Sequence, residues 1–119
     1  MDYVALARRF PALKIVLAHW GGGLPFFMMN RWTRASLSNV YFDTAASPLL
    51  YDTRVWTLAV DMAGEDMILF GSDYPLRVYP SQQKEPDFIM LADEARRHLP
   101  KHCAEAVMSA NARQVYLGG

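Results

Sequence analysis

Three apolar stretches of the sequence each run into a polar side chain. His19 ends LKIVLAH, Asp43 ends NVYFD and Asp73 ends ILFGSD. A buried carboxylate without a partner is energetically expensive, so each aspartate should be paired, hydrogen-bonded or bound to a ligand. Imidazole and carboxylate groups are also common general acids and bases in enzymes. His19 and Asp73 are therefore candidate catalytic residues, with a hydrogen-bonded strand-end residue as the alternative for each.

Asp43 has a simpler structural interpretation than the other two. Ser47 and Pro48 follow it closely, and aspartate commonly closes the turn before a helix. We therefore predict that Asp43 is a hydrogen-bonded strand-end residue or a helix cap, with a role in the site as the alternative.

Three residues near the candidate catalytic groups could contact a substrate. Trp20 and Tyr74 directly follow His19 and Asp73, and Arg77 lies in the loop beyond. Because a guanidinium group binds a carboxylate through paired N–H donors, Arg77 suits an acidic substrate, although a solvated loop arginine is the alternative. We predict substrate contacts for Trp20, Tyr74 and Arg77.

Alternating strands and helices must position these residues. Apolar runs predict strands over residues 13–19, 39–47 and 67–73, and helical spacing predicts helices in the remaining segments. The helices are predicted over residues 3–10, 25–36, 47–63, 86–99 and from residue 103 onward. This alternation predicts an α/β fold with a parallel sheet, whose carboxyl edge would gather the three polar residues.

Composition limits the chain to one domain and to certain partners. The 119 residues are 52% hydrophobic and carry 12 basic and 12 acidic side chains, so no net charge favours nucleic acid or a membrane surface. The single cysteine, Cys103, has no neighbour at metal-ligand spacing, and His102 shows no converging partner. A lone cysteine favours a cytoplasmic location. Three strands are too few to cover the apolar helices, so the chain is expected to be part of something larger.

Four stretches together resemble the carboxyl-terminal part of the amidohydrolase-2 family. They are FPALKIVLAHWGGGLPF, NVYFDTAA, ILFGSDYP and NARQVYLG. This family contains metal-dependent barrel hydrolases and decarboxylases related to aminocarboxymuconate semialdehyde decarboxylase. The resemblance implies a partial (β/α)8 TIM barrel, with three parallel strands equivalent to strands six to eight and residues 1–119 forming a single domain.

The resemblance also implies roles for two residues. His19 matches the family histidine that orients or activates a metal-bound water or contacts substrate. Asp73 matches the aspartate that ligates the metal and handles the proton of that water. The implied cofactor is a divalent metal, with zinc favoured, and such an ion lowers the pKa of bound water to about 7.

The family's other metal ligands are a His-x-His pair and a further histidine in the amino-terminal half, and this sequence contains no His-x-His. A complete barrel needs roughly 250 residues. We therefore expect a fragment that binds metal weakly and is inactive alone, and that requires a complementary amino-terminal half or forms a homo-oligomer.

Several functions remain open at this point. The main expectation is metal-dependent hydrolysis of a small carboxylated substrate, and the first alternative is non-oxidative decarboxylation. A non-catalytic module whose copies pair through exposed strands is a second alternative. The only sequence feature that would favour a nucleotide-binding domain is the run Gly21–Gly23. This run lacks the spacing of the nucleotide-binding motifs and better suits a sharp turn beside His19.

Overall fold

The computed structural model describes residues 2–118 and contains one parallel sheet. Its strands are β1 (Ile15–Leu17), β2 (Val40–Asp43) and β3 (Ile68–Leu69), in the order β1-β2-β3. Because all three strands run in the same direction, their carboxyl ends share one edge. The predicted α/β class and parallel sheet are confirmed.

Helices and short helical turns connect the strands. The α-helices are α1 (Tyr3–Arg9), α2 (Ala18–Gly21), α3 (Arg31–Ser36), α4 (Ser47–Leu50), α5 (Val55–Ala63), α6 (Phe88–His98) and α7 (Asn111–Leu117). Two 3-10 helices span Leu24–Phe27 and Glu65–Met67, and a π-helical turn spans Ala106–Ala110. Within residues 2–118, no helix is both long and apolar enough to cross a membrane.

Two of the predicted helices are interrupted by side chains that capture backbone N–H groups. Asn30 Oδ1 accepts hydrogen bonds from the N–H groups of Trp32 and Thr33, so α3 begins afresh after the 3-10 turn. Asp52 Oδ1 accepts from the Arg54 N–H and separates α4 from α5. The single helices predicted over residues 25–36 and 47–63 are therefore wrong, because short polar side chains compete with helical hydrogen bonding.

All three strands are shorter than predicted, and at the carboxyl end of β3 the backbone takes other partners. After β3, the Phe70 N–H donates to the carbonyl of Val107 at 2.9 Å. The Gly71 N–H then donates to Thr44 Oγ1 at 3.0 Å. Segment 70–73 therefore leaves the sheet ladder while remaining attached to its surroundings.

The hydrophobic core is organised around two tryptophans. The rings of Trp20 and Trp56 meet edge to face, with their centroids 5.4 Å apart and an interplanar angle of 80°. Phe42 and Ile68 from the sheet and Leu91 from α6 are fully buried in the same cluster. This core ties the first two strand ends to α5 and α6.

Candidate active site

His19 lies at the carboxyl end of β1, inside a left-handed turn. Its φ angle is 56°, and Nδ1 is 3.0 Å from the carbonyl oxygen of Ala45. Because a carbonyl oxygen only accepts hydrogen bonds, this contact requires the proton to be on Nδ1. In the neutral imidazole, Nε2 then keeps a lone pair that can take a proton or bind a metal.

The backbone of His19 is held on both sides. Its N–H donates to Asp43 Oδ1 at 3.0 Å, and the hydroxyl of Tyr51 donates to its carbonyl at 3.0 Å. The same Asp43 oxygen accepts the Ala45 N–H at 3.0 Å. These contacts offset a left-handed conformation that costs an L-residue about 1–2 kcal/mol. The predicted strand-end hydrogen-bonding role of Asp43 is confirmed.

Gly21 makes this turn possible. Its φ angle is 57°, and a Cβ atom at this position would lie 2.8 Å from Cδ1 of Phe42. Any other residue would therefore clash with β2 as well as strain the backbone. The steric role predicted for the glycine run beside His19 is confirmed at Gly21.

Asp73 also has a left-handed conformation, with a φ angle of 61°. Its side chain is exposed, and none of residues 2–118 donates a hydrogen bond to its carboxylate. The loop before it is fixed, because Thr44 Oγ1 both donates to the Gly71 carbonyl and accepts the Gly71 N–H, each at 3.0 Å. Asp73 therefore extends an exposed carboxylate from an anchored loop, in a left-handed conformation that aspartate adopts more readily than most residues.

His19 and Asp73 lie at the same edge of the sheet, but on strands that are not neighbours. Strand β2 separates β1 from β3. Since adjacent strands are about 4.8 Å apart, β1 and β3 are roughly 10 Å apart. Asp43 occupies the middle position, and a Cβ atom on Gly71 would lie 3.4 Å from its carboxyl carbon. Three groups therefore lie in order along this edge: the His19 imidazole, the Asp43 carboxylate that holds the His19 backbone, and the Asp73 carboxylate.

The three predicted substrate-binding residues are placed differently from one another. The Trp20 side chain is fully buried, and its indole N–H donates to Ser47 Oγ at 2.7 Å. Tyr74 is 62% exposed and directly follows Asp73. Arg77 is exposed, with Nη1 donating to the Gln83 carbonyl at 3.3 Å. The structure thus keeps Tyr74 and Arg77 at the surface near Asp73 and places Trp20 in the core, and their substrate contacts stay predictions.

The donor groups at this edge fit part of a metal site. Asp73 offers a carboxylate without a hydrogen-bond donor among residues 2–118, and His19 offers the Nε2 lone pair. Carboxylate and imidazole groups are both ligands of divalent cations. A catalytic zinc site takes three protein ligands and a water molecule, so this edge needs at least one further protein ligand.

Tyr51 is a positioning residue that sequence reasoning missed. The sequence pattern predicts one continuous helix over residues 47–63, so it assigns no role to the Tyr51 hydroxyl. Only the break between α4 and α5 places Tyr51 where it can donate to the His19 carbonyl. The sequence signal was the pair Asp52 and Arg54, whose side-chain and backbone contacts mark a turn.

Comparison with known proteins places this fold in a defined group. A family model described as amidohydrolase matches residues 1–117. The crystal structure of 2,6-dihydroxybenzoate decarboxylase from Rhizobium is 22% identical, with a TM-score of 0.71 over 96% of this chain and 38% of that chain. The structure of 2,6-dihydroxybenzoate decarboxylase complexed with 2,6-dihydroxybenzoate gives the same values.

A second decarboxylase has the same fold. The structure of 5-carboxyvanillate decarboxylase from Sphingomonas paucimobilis is 19% identical, with a TM-score of 0.65 over 94% of this chain and 36% of that chain. The chain therefore spans less than two fifths of the length of the structures that it matches.

Proposed function

This chain belongs to the amidohydrolase family, and from that premise we propose that it forms the carboxyl-terminal part of a metal-dependent barrel decarboxylase. The proposed substrate is a small hydroxylated aromatic acid, as in the names of both similar enzymes. The observation that carries the proposal is the sheet edge that presents His19 with a free Nε2 and Asp73 without a hydrogen-bond donor among residues 2–118.

The proposed reaction replaces a carboxylate with hydrogen. The bond between the ring carbon and the carboxylate breaks, carbon dioxide leaves, and a proton adds to the same ring carbon. His19 can hold that proton at Nε2, because the Ala45 carbonyl keeps Nδ1 as the donor. Asp73 can accept or return a proton through its exposed carboxylate. Positioned proton transfer of this kind contributes about 10²–10⁴-fold to a rate.

A divalent cation, when bound, neutralises negative charge at the site and lowers the pKa of bound water to about 7. Asp73 is the ligand that this chain would contribute, and zinc is the proposed ion. Arg77 and Tyr74 are proposed to contact the acidic substrate from the loop that follows Asp73. Hydrolysis, which the family resemblance also implies, is the competing reaction, and the reconstitution experiment below distinguishes the two.

A complementary amino-terminal half is the proposed partner. The strand order makes β1 and β3 the sheet edges within residues 2–118, and an edge strand presents unpaired backbone groups. Large apolar side chains are also exposed, including Phe27 at 67% and Met29 at 75%. Since the similar chains are more than twice as long, further barrel strands are the occupants that best fit these surfaces.

Reconstitution tests this proposal. The chain is joined to the polypeptide encoded immediately upstream of residue 1 and assayed with zinc chloride for carbon dioxide release from 2,6-dihydroxybenzoate and 5-carboxyvanillate. We expect turnover, and we expect His19→Gln and Asp73→Asn each to lower it by at least about 100-fold. Asp66→Asn, which changes an exposed carboxylate away from this edge, is the matched control.

Three results would overturn the proposal. One is an upstream region that encodes no His-x-His segment. Another is a reconstituted protein that hydrolyses amides or esters and releases no carbon dioxide. The third is turnover that survives both substitutions. Analytical ultracentrifugation of the chain alone tests the alternative of a non-catalytic, self-associating module, because that module would form a stable homo-oligomer.

A further inference from the structure

A second group of metal-ligating side chains lies away from the candidate active site. Glu65 belongs to the 3-10 helix that leads into β3, and His102 and Cys103 follow α6. One potential ligand atom from each residue lies within 4.8 Å of the other two. Glu65 precedes β3 whereas Asp73 follows it, so this group is at the amino-terminal end of the strand. The expectation that Cys103 and His102 have no converging partner is wrong, because the partner comes from a distant part of the chain.

One carboxylate oxygen of Glu65 lacks a hydrogen bond within the described part of the chain. Its Oε2 atom is buried and has no hydrogen-bond partner among residues 2–118. The nearest opposing group is His102 Nε2, at 3.5 Å. The Glu65 side chain as a whole is 40% exposed, so a ligand can reach this oxygen from the solvent side.

The backbone around two of the three donors is fixed. Asn111 Nδ2 donates to the carbonyls of Glu65 at 2.7 Å and Ile68 at 2.9 Å, which holds the 3-10 helix against α7. Cys103 is fully buried, and its N–H and its thiol both donate to the Pro100 carbonyl, at 3.1 Å and 3.3 Å. The His102 side chain is 76% exposed, so it can rotate toward the other two.

We propose that Glu65 Oε2, a ring nitrogen of His102 and Cys103 Sγ bind one zinc ion, with water as the fourth ligand. Oxygen, nitrogen and sulfur donors in one small group suit Zn²⁺, which accepts all three types. With metal–ligand bonds of about 2.1 Å, two ligand atoms on a tetrahedral zinc are about 3.4 Å apart. The 3.5 Å between Glu65 Oε2 and His102 Nε2 matches that separation.

The surroundings supply room for the fourth ligand. A cavity of about 280 Å³ is lined by Glu65, His102, Asp61 and Pro100 and opens beside the group. When the ion binds, the bond between Cys103 Sγ and zinc forms, the thiol S–H bond breaks, and the proton leaves to solvent. No electron transfer is involved.

The proposed ion cross-links two segments of the chain, and its fourth position stays open to water, unlike the closed four-ligand sites of structural zinc. It would join the segment that leads into β3 to the segment that follows α6, which are separated by more than thirty residues of sequence. A ligand that binds only the folded state stabilises it, so zinc should raise the melting temperature. The site does not depend on the proposed decarboxylase activity.

Cobalt(II) titration of the chain provides a direct test, because cobalt replaces zinc and a thiolate ligand gives a charge-transfer band in the near ultraviolet. Cys103 is the only cysteine, so the band reports on this site alone. We expect the band in the wild type and its loss in Cys103→Ser. Glu65→Gln and His102→Ala should weaken cobalt binding by more than about tenfold, since even indirect supports of a metal ligand contribute that much.

Two control variants make the result specific. Asp66→Asn removes the neighbouring exposed carboxylate, and Asp73→Asn removes the proposed ligand at the other end of β3, so both should retain the band. Circular dichroism checks that each variant folds, and thermal melts with zinc chloride give an independent measurement. No band in the wild type, or a zinc-dependent rise in melting temperature that persists in Glu65→Gln and His102→Ala, would overturn the proposal.

Discussion

Asp43 Oδ1 lies 3.0 Å from the backbone nitrogen of His19 and accepts its hydrogen bond across the ends of two strands. The same oxygen accepts the N–H of Ala45, whose carbonyl in turn contacts His19 Nδ1. One carboxylate oxygen therefore sets both the backbone position and, through Ala45, the ring orientation of His19. The candidate catalytic imidazole depends on a residue that need not touch a substrate.

Asp43→Ala should destabilise the protein. It leaves the part-buried N–H groups of His19 and Ala45 without their acceptor, so we expect a loss of about 1–3 kcal/mol in the free energy of unfolding, measured with urea. The matched control is Asp66→Ala, which removes an exposed carboxylate and should change stability by less than about 0.5 kcal/mol. Equal effects of the two substitutions would contradict the bracing role.

Asp73 should tolerate asparagine and reject a β-branched residue. Its φ angle is 61°, a conformation that aspartate and asparagine accept more readily than valine does. We expect Asp73→Asn to unfold at nearly the wild-type urea concentration and Asp73→Val to lose about 1–2 kcal/mol. None of residues 2–118 donates to the carboxylate, so the fold should not need its charge. Unchanged stability in Asp73→Asn would therefore show that the carboxylate has no structural role. A large loss in Asp73→Asn would contradict this assignment.

Trp20 and Trp32 should differ sharply in their contributions to stability. Trp20 is fully buried against Trp56 and donates to Ser47 Oγ, whereas Trp32 is 59% exposed. Trp20→Phe removes buried volume and the indole donor, so we expect a loss of about 1–3 kcal/mol by chemical denaturation. Trp32→Phe should be nearly neutral and should remove the most red-shifted part of the tryptophan fluorescence. Similar losses in both variants would contradict this arrangement of the core.

Much of the framework was predictable because its signals are local. Asp2 caps α1 through the Ala5 N–H, as its position before the apolar spacing predicts, and Gly64 ends α5. Parallel strands also follow from the alternation of strand and helix patterns. These features depend on residues within one or two turns of each other, which the sequence displays directly.

The remaining features depend on contacts between distant segments. The left-handed turn at His19 requires Asp43 and Tyr51, which follow it by 24 and 32 positions. The end of β3 is set by the Val107 carbonyl, and a carboxylate oxygen of Glu65 lies within 4.8 Å of Cys103 Sγ. Periodicity carries no information on such pairings, so strand lengths and the second ligand cluster could not be predicted.

Tyr79 should make stability sensitive to alkaline pH. Burial, followed by the charge and hydrogen bond of Glu94, raises the pKa of the Tyr79 hydroxyl well above its usual value near 10. The unfolded chain therefore loses this proton first, so the stabilisation is complete below pH 10 and is lost as the pH rises further. We expect the free energy of unfolding to fall above pH 10, and we expect a shallower fall in Tyr79→Phe.

Comparing slopes rather than absolute stabilities isolates the titration of Tyr79. Tyr79→Phe also removes a part-buried hydroxyl near Glu94, which is buried and accepts the Trp56 indole N–H at 3.3 Å, so its stability at pH 7 should fall as well. Tyr116 is 65% exposed, and Tyr116→Phe should keep the wild-type slope. Urea unfolding at several pH values from 7 to 11 measures all three proteins. A wild-type slope in Tyr79→Phe would show that Tyr79 ionises alike in the folded and unfolded chains.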